Sequence, residues 1–328
     1  MLASRAWGVP CVAAALAITS PALAVDVGPT PIDFLDYFGP SSPASDAALW
    51  EQRNDLGTGP TVDTSKPSPD ISPSAGKGAS GKGFRFTEVF TQFQFYDTDS
   101  DRPQLRYRYR SYGFTAGANF RIGRDWYGLM YAGYAHATDR ISSPPPQRGT
   151  NFNIGRIGGQ LRYRVGLGLF AGVDLSIRPF GGDIVIPASG GGRNGWAING
   201  GPFLSYTMNI AQFFFTVKPR FDFAYTSTSS TGTRGNIGGK VSFTMAMSAN
   251  WRINPGAVVG IGVTPGWVLA ERSAVSPRAN GPFHLTLSAG ARVRVAPKFW
   301  VYGQYGYRFH KTNRSAQYAI LGVSYYLQ

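Results

Sequence analysis

From residue 84 onward the chain alternates between apolar positions and polar or small ones. In "GLGLFAGVDLSIRP" (166–179), Leu167, Leu169, Ala171, Val173, Leu175 and Ile177 share one face. Gly168, Phe170, Gly172, Asp174, Ser176 and Arg178 share the other. The segment 283–295 sets Phe283, Leu285, Leu287, Ala289, Ala291, Val293 and Val295 against His284, Thr286, Ser288, Gly290, Arg292 and Arg294. A third run opposes Val241, Phe243, Met245, Met247, Ala249 and Trp251 to Lys240, Ser242, Thr244, Ser248 and Asn250. A period of two sustained this long predicts strands of membrane-crossing length. The run "AQFFFTVKPRFDFAY" (211–225) is the hardest case, because a soluble core strand would not bury Lys218, Arg220 and Asp222 together. With Phe213, Phe215, Val217, Phe221, Phe223 and Tyr225 turned to lipid, the charged positions face an aqueous interior. Pro219 then falls on the lipid face, where its missing N–H predicts a local kink or bulge.

The connections alternate in length. Tight ones are expected near Gly123-Arg124-Asp125, Val165-Gly166, Asn209-Ile210, Asn254-Pro255 and Ala296-Pro297-Lys298. Longer polar ones are expected over 98–103, 142–149, 181–193, 227–234 and 270–280, with a short last one at 311–313. The fold class that follows is all-β: a transmembrane antiparallel up-and-down β-barrel of about 12 strands over residues 84–328, with both ends on the short-turn, periplasmic side. Tryptophan placement fits two interfacial girdles. Trp126, Trp251 and Trp300 lie near short turns, and Trp196 and Trp267 near long loops. Trp300 matches by depth only, since alternation points it inward. A soluble β-sandwich would alternate too, but it needs no tryptophan at both rims.

Residues 1–24 carry Arg5, a short apolar stretch and Ala22-Leu23-Ala24, as a cleaved export signal does. Cys11 lies inside that segment, so the mature chain is expected to lack cysteine, which excludes disulfides and cysteine-based sites. Residues 25–83 form a Pro/Ser/Gly-rich leader with 8 acidic and 4 basic residues. From residue 84 the balance reverses to 27 basic against 10 acidic. In an exported barrel this excess points to anionic solutes or lipid head groups; no nucleic-acid motif accompanies it.

The inward positions hold the candidate chemistry: Arg178, Lys218, Arg220, Asp222, Lys240, Arg292, Arg294 and Arg308, with Arg162 beside them. Rings of cations in a pore favour anions by Coulomb attraction, which predicts a narrow passive pore for small anionic solutes. A second reading also stands: the cations keep a hydrated wall soluble, pair with Asp174 or Asp222, or meet lipopolysaccharide phosphates at the rim. The acidic leader (Asp26, Asp33, Asp36, Asp46, Glu51) is either a plug drawn into this interior or a periplasmic tail. The histidines are His136, His284 and His310, and none forms a nucleophile–base or metal-ligand pattern with its neighbours, so no enzyme, cofactor or metal is expected.

The segments "YGFTAGANFRIGRDWYGLMYAGYAHATDR" (112–140) and "IGRIGGQLRYRVGLGLFAGVDLS" (154–176) resemble the β-domain of autotransporters, in which Gly-rich strands meet at tight charged turns. The resemblance implies a translocator-like barrel in the bacterial outer membrane, inserted by the barrel-assembly machinery and monomeric among outer-membrane lipid and lipopolysaccharide. Residues 25–83 are too few for a large passenger. A translocating, structural or surface-interaction barrel, with loops 181–193 and 270–280 binding a partner, is therefore the alternative to the pore. The last strand, "YAILGVSYYLQ", has the alternation of an insertion signal and ends in Leu327-Gln328 rather than an aromatic residue.

Overall fold

The computed structural model describes residues 83–327 except 103–104, 124, 144–147, 167, 187–191, 231–232, 255, 273–282 and 311–313. The export segment, the leader and its plug reading lie outside the described residues. Twelve strands follow one another: β1 (Phe84–Arg102), β2 (Leu105–Ile122), β3 (Trp126–Ser143), β4 (Arg148–Gly166), β5 (Leu169–Ile186), β6 (Gly192–Ile210), β7 (Phe213–Ser230), β8 (Thr233–Asn254), β9 (Ala257–Arg272), β10 (Phe283–Ala296), β11 (Phe299–His310) and β12 (Arg314–Tyr326). Each is antiparallel to its chain neighbours, and β1 pairs with β12 from Glu88↔Tyr326 to Ser100↔Arg314, so the barrel is closed. Closure leaves no sheet edge to be hydrated, as hydrocarbon requires.

One face of every strand is apolar and exposed, as in Val173, Leu175 and Ile177 on β5, Phe221 and Phe223 on β7, and Leu321 on β12. A soluble protein would bury such a surface; a barrel turns it to lipid. On β7 the band runs from Phe213 to Tyr225, which at about 3.3 Å per residue and a tilt near 40° spans roughly 30 Å. Aromatic pairs mark both limits: Trp126–Tyr163 and Phe213–Trp251 at the short-turn end, Trp196–Tyr225 and Phe243–Trp267 at the other.

The short-turn rim is stitched in a repeating way. The carbonyls of Asp125, Gly168, Gln212, Gly256 and Lys298 accept from the N–H groups of Arg164, Thr207, Arg252, Arg294 and Tyr326, each on the next hairpin. Turn geometry demands a left-handed residue at Gly123 (φ 61°), Gly168 (φ 70°) and Ala211 (φ 52°).

The far end differs from the sequence expectation. Strands of 12 to 22 residues exceed the 9–11 that a tilted strand needs to cross a bilayer, so much of the expected loops 98–103, 142–149, 181–193 and 227–234 is strand. The stretch 181–193 narrows to a connection at 187–191, and 227–234 to one at 231–232. Polar hairpins built this way continue the ladder beyond the apolar band. The β1–β2 register sets Asp97, Asp99 and Asp101 opposite Arg110, Arg108 and Arg106. Asp97 is paired with Arg108 at 3.2 Å and Arg110 at 3.4 Å.

The bulge expected at Pro219 is not there. Pro219 pairs with Met245 of β8, while the β6–β7 pairing lapses at its other side and resumes in unchanged register. Pro179, Pro202 and Pro265 repeat this pattern: each is paired on one flank (Trp196, Val173, Leu285) and unpaired on the other. A residue with no N–H can be tolerated where one rung is forgone without displacing its neighbours. The register shifts lie instead near strand ends, as at Phe86/Glu88 and Arg294/Ala296.

The lipid-facing assignment predicts that Leu321→Arg, near mid-band and 62% exposed, destabilises the folded barrel by about 2–4 kcal/mol. Reversible unfolding by guanidinium in lipid vesicles measures it; a loss under about 0.5 kcal/mol would contradict a lipid-facing Leu321.

Candidate functional site

Inward side chains divide the interior into two territories. An aromatic and aliphatic cluster (Tyr96, Tyr109, Phe152, Ile154, Phe180, Tyr302, Tyr318 and Ile320, with Ala137 and Ala316) draws on β1–β5, β11 and β12. The charged territory is centred on β5–β8, with an outpost on β10. Within it Arg178 and Arg220 are 0% exposed and Lys218 is 1% exposed.

Arg220 holds the centre of that territory. Its guanidinium pairs with Asp222 two residues along β7 and, as a bidentate fork, with Asp174 on β5, where Nη2 to Oδ1 is 2.8 Å. Between β5 and β7 runs β6, on which the register partner of Asp174 is Gly201, a residue without a side chain. A Cβ on Gly201 would collide with the Phe221 carbonyl, and one on Gly200 with the Asp174 carbonyl. The Gly201 N–H donates to Asp174 Oδ1 at 3.2 Å. It lies where the β6–β7 ladder lapses, so a backbone donor serves the carboxylate that grips Arg220. Two carboxylates and a fork-shaped cation with satisfied hydrogen bonds are what a dry site needs to hold charge.

A second assembly spans the closure. Glu88 of β1 accepts from Asn119 Nδ2 (2.8 Å) and from Arg292 Nη2 of β10 (3.5 Å). The same Arg292 nitrogen donates to Ser324 (3.5 Å) and to the Tyr326 hydroxyl (2.6 Å), both on β12. Arg292 thus links β10 to β1 across the two strands that close the barrel.

Most interior cations also lie over aromatic rings. Lys218 Nζ is 4.0 Å from the centroid of Phe203, and the guanidinium carbon of Arg162 is 4.7 Å from Phe170. Arg156 sits over Tyr131 at 4.5 Å, Arg252 over Phe214 at 4.7 Å and Arg292 over Trp300 at 4.5 Å. A ring face is an electron-rich wall that stays attractive in a dry interior.

The residues singled out from the sequence fall as follows. Arg178, Lys218, Arg220, Lys240 and Arg292 are buried inside, and Asp222 is half-buried beside Arg220. Arg308 is half-buried and donates to Thr286 Oγ1 at 3.1 Å. Arg294 is exposed near the short-turn rim, 5.9 Å from the Trp300 ring, and does not join the buried group. Among the tryptophans, Trp126, Trp196 and Trp251 are exposed outward and Trp267 is half-buried in an aromatic row. Trp300 is inside, 8% exposed, beneath Arg292. Phe170 and Trp300 lie inward as the alternation has them, while Glu88, Arg156, Phe203 and Phe214 did not stand out in the sequence. Alternation alone places Phe170, Phe203 and Phe214 inward, and that was their available signal.

No protein-family model and no curated protein matches the chain. Solved structures do. The translocator domain of the autotransporter NalP from Neisseria meningitidis matches with a TM-score of 0.63 at 14% identity, over 86% of this chain and 96% of that one. The transport unit of the autotransporter AIDA-I from Escherichia coli matches at 0.55 and 10% identity, over 85% and 97%. An outer-membrane channel from Pseudomonas putida F1 matches at 0.51 and 11% identity, over 76% and 99%. The chain therefore has the fold of the autotransporter β-domain and, more broadly, of an outer-membrane barrel.

Removing the central cation tests the charged territory. Arg220→Met leaves two buried carboxylates without their partner and is expected to destabilise the barrel by about 3–5 kcal/mol. Adding Asp174→Asn and Asp222→Asn should recover most of that loss. Equilibrium unfolding of the single and triple variants measures both; equal stabilities would dissolve the assembly.

Proposed function

We propose that this chain is an integral barrel of the bacterial outer membrane, exported by residues 1–24, with both barrel ends periplasmic. In this reading it is a narrow passive pore whose basic interior favours small anionic solutes. The observation that carries the reading is the charge imbalance of the wall. Among the described side chains the inward carboxylates are Glu88, Asp174 and Asp222, and the inward cations well outnumber them. An ion entering such a constriction meets a positive potential undiluted by bulk water, which attracts anions and repels cations. The protein works as a monomer in this proposal, with outer-membrane lipid and lipopolysaccharide around it and the barrel-assembly machinery inserting it.

A second reading draws on a different observation. Full burial of Arg178 and Arg220 fits an interior closed at rest, and so a translocating or structural barrel that engages partners through its far-end connections.

Planar-bilayer recording under a salt gradient separates the two. The pore reading expects small unitary currents with an anion-selective reversal potential. Lys218→Glu should move that potential toward cation preference, because it reverses one charge in the constriction. Absence of current supports the closed barrel, and cation selectivity in the unmodified protein contradicts the anion pore.

A further inference from the structure

Two arginines face each other across the β4–β5 seam. The register pairs Ile154↔Phe180 and Ile157↔Ile177 bracket Arg156 and Arg178, which are therefore directly opposite in register, at a point where the ladder itself lapses beside Pro179. Like charges opposite one another on a sheet repel. Here the repulsion is sharpened by burial, since Arg178 is 0% exposed. Arg156 is fixed from below: its Nη2 donates to the Tyr131 hydroxyl at 3.1 Å and its guanidinium lies over the Tyr131 ring at 4.5 Å.

Both arginines line one cavity of about 40 Å³. Ser111, Thr115 and Gln94 line it too, beside Tyr96, Tyr318 and Ile320 of the apolar cluster, with no carboxylate among the described residues of its lining. The space exists because β2 and β3 turn small residues inward there. Gly113 and Ala135 are register partners, and Gly133 sits opposite Thr115. A Cβ on Gly133 would press on the Phe114 carbonyl and Thr115 Oγ1, both at 2.7 Å. A void of this size has room for a water molecule or a bare halide ion.

The geometry points to a small-anion site inside the barrel, in which a halide-sized ion lies between Arg156 and Arg178 with hydroxyl and amide donors of β1 and β2 around it. The ion offsets the repulsion between the two guanidiniums, so the site contributes to folding whether or not the barrel conducts. It deepens the proposed basic interior by giving it a discrete binding step, and it rests on that reading for its role in permeation alone.

The test uses the full chain folded in detergent, with chloride exchanged for isethionate at constant ionic strength. Chloride should raise the thermal unfolding midpoint of the wild type along a saturable curve, as a ligand of the native state does. Arg178→Gln should raise the half-saturating chloride concentration by about tenfold or more. Ala135→Leu keeps both arginines and fills the cavity, so it should abolish the saturable effect and decides the matter if the arginine variant does not fold. Crystals grown in bromide should show anomalous density between the two guanidiniums. A chloride effect that is absent, or unchanged in Ala135→Leu, or a cavity holding water without bromide, overturns the site. None of these readouts is a current, so a barrel that fails to conduct and a barrel without this site are told apart.

Discussion

A backbone in hydrocarbon has no water to accept its N–H groups, and that single deficit organises this protein. It demands a closed cylinder, hence the β1–β12 pairing, and it fixes which face of each strand is apolar. It also explains the odd treatment of proline. Four lipid-face prolines each remove a donor from one seam, and the neighbouring strand keeps its register across the gap. At Gly201 the loosened seam is put to use, because the backbone N–H there donates to a carboxylate in the interior. The wall and the interior chemistry are thus coupled through the same hydrogen-bond ledger.

The interior follows a second constraint, that charge withdrawn from water must be matched locally. Two devices meet it. Arg220 and Arg292 are matched by carboxylates and hydroxyls, and Lys218, Arg162 and Arg156 lie on ring faces. Both devices put cations beside bulky partners, so a wall rich in arginine is also a crowded one. Any conduction would therefore have to proceed past side chains held on several strands at once.

The strand pattern was open to reading because lipid on one side and side-chain interior on the other write a period of two into every crossing. The number of strands followed from the alternation of short and long connections. What escaped was lateral. Arg220 meets Asp174 from 46 positions away and two strands over, across Gly201 of β6. Such a contact depends on how far successive strands are staggered, and alternation carries no information about stagger. The loop estimates failed for a related reason: polar residues in 181–193 and 227–234 read as loop, yet a ladder can continue in water once the apolar band has ended.

The facing columns Asp97-Asp99-Asp101 and Arg110-Arg108-Arg106 bear on that hidden stagger. Sliding β1 against β2 by two residues would keep every apolar side chain outward, so greasiness cannot detect the error. It would, however, strand an aspartate or an arginine at the end of its column. In a cylinder the sum of such offsets sets the circumference. The pairing of Asp97 with Arg108 and Arg110, beyond the reach of any solute inside, thereby helps to fix the bore.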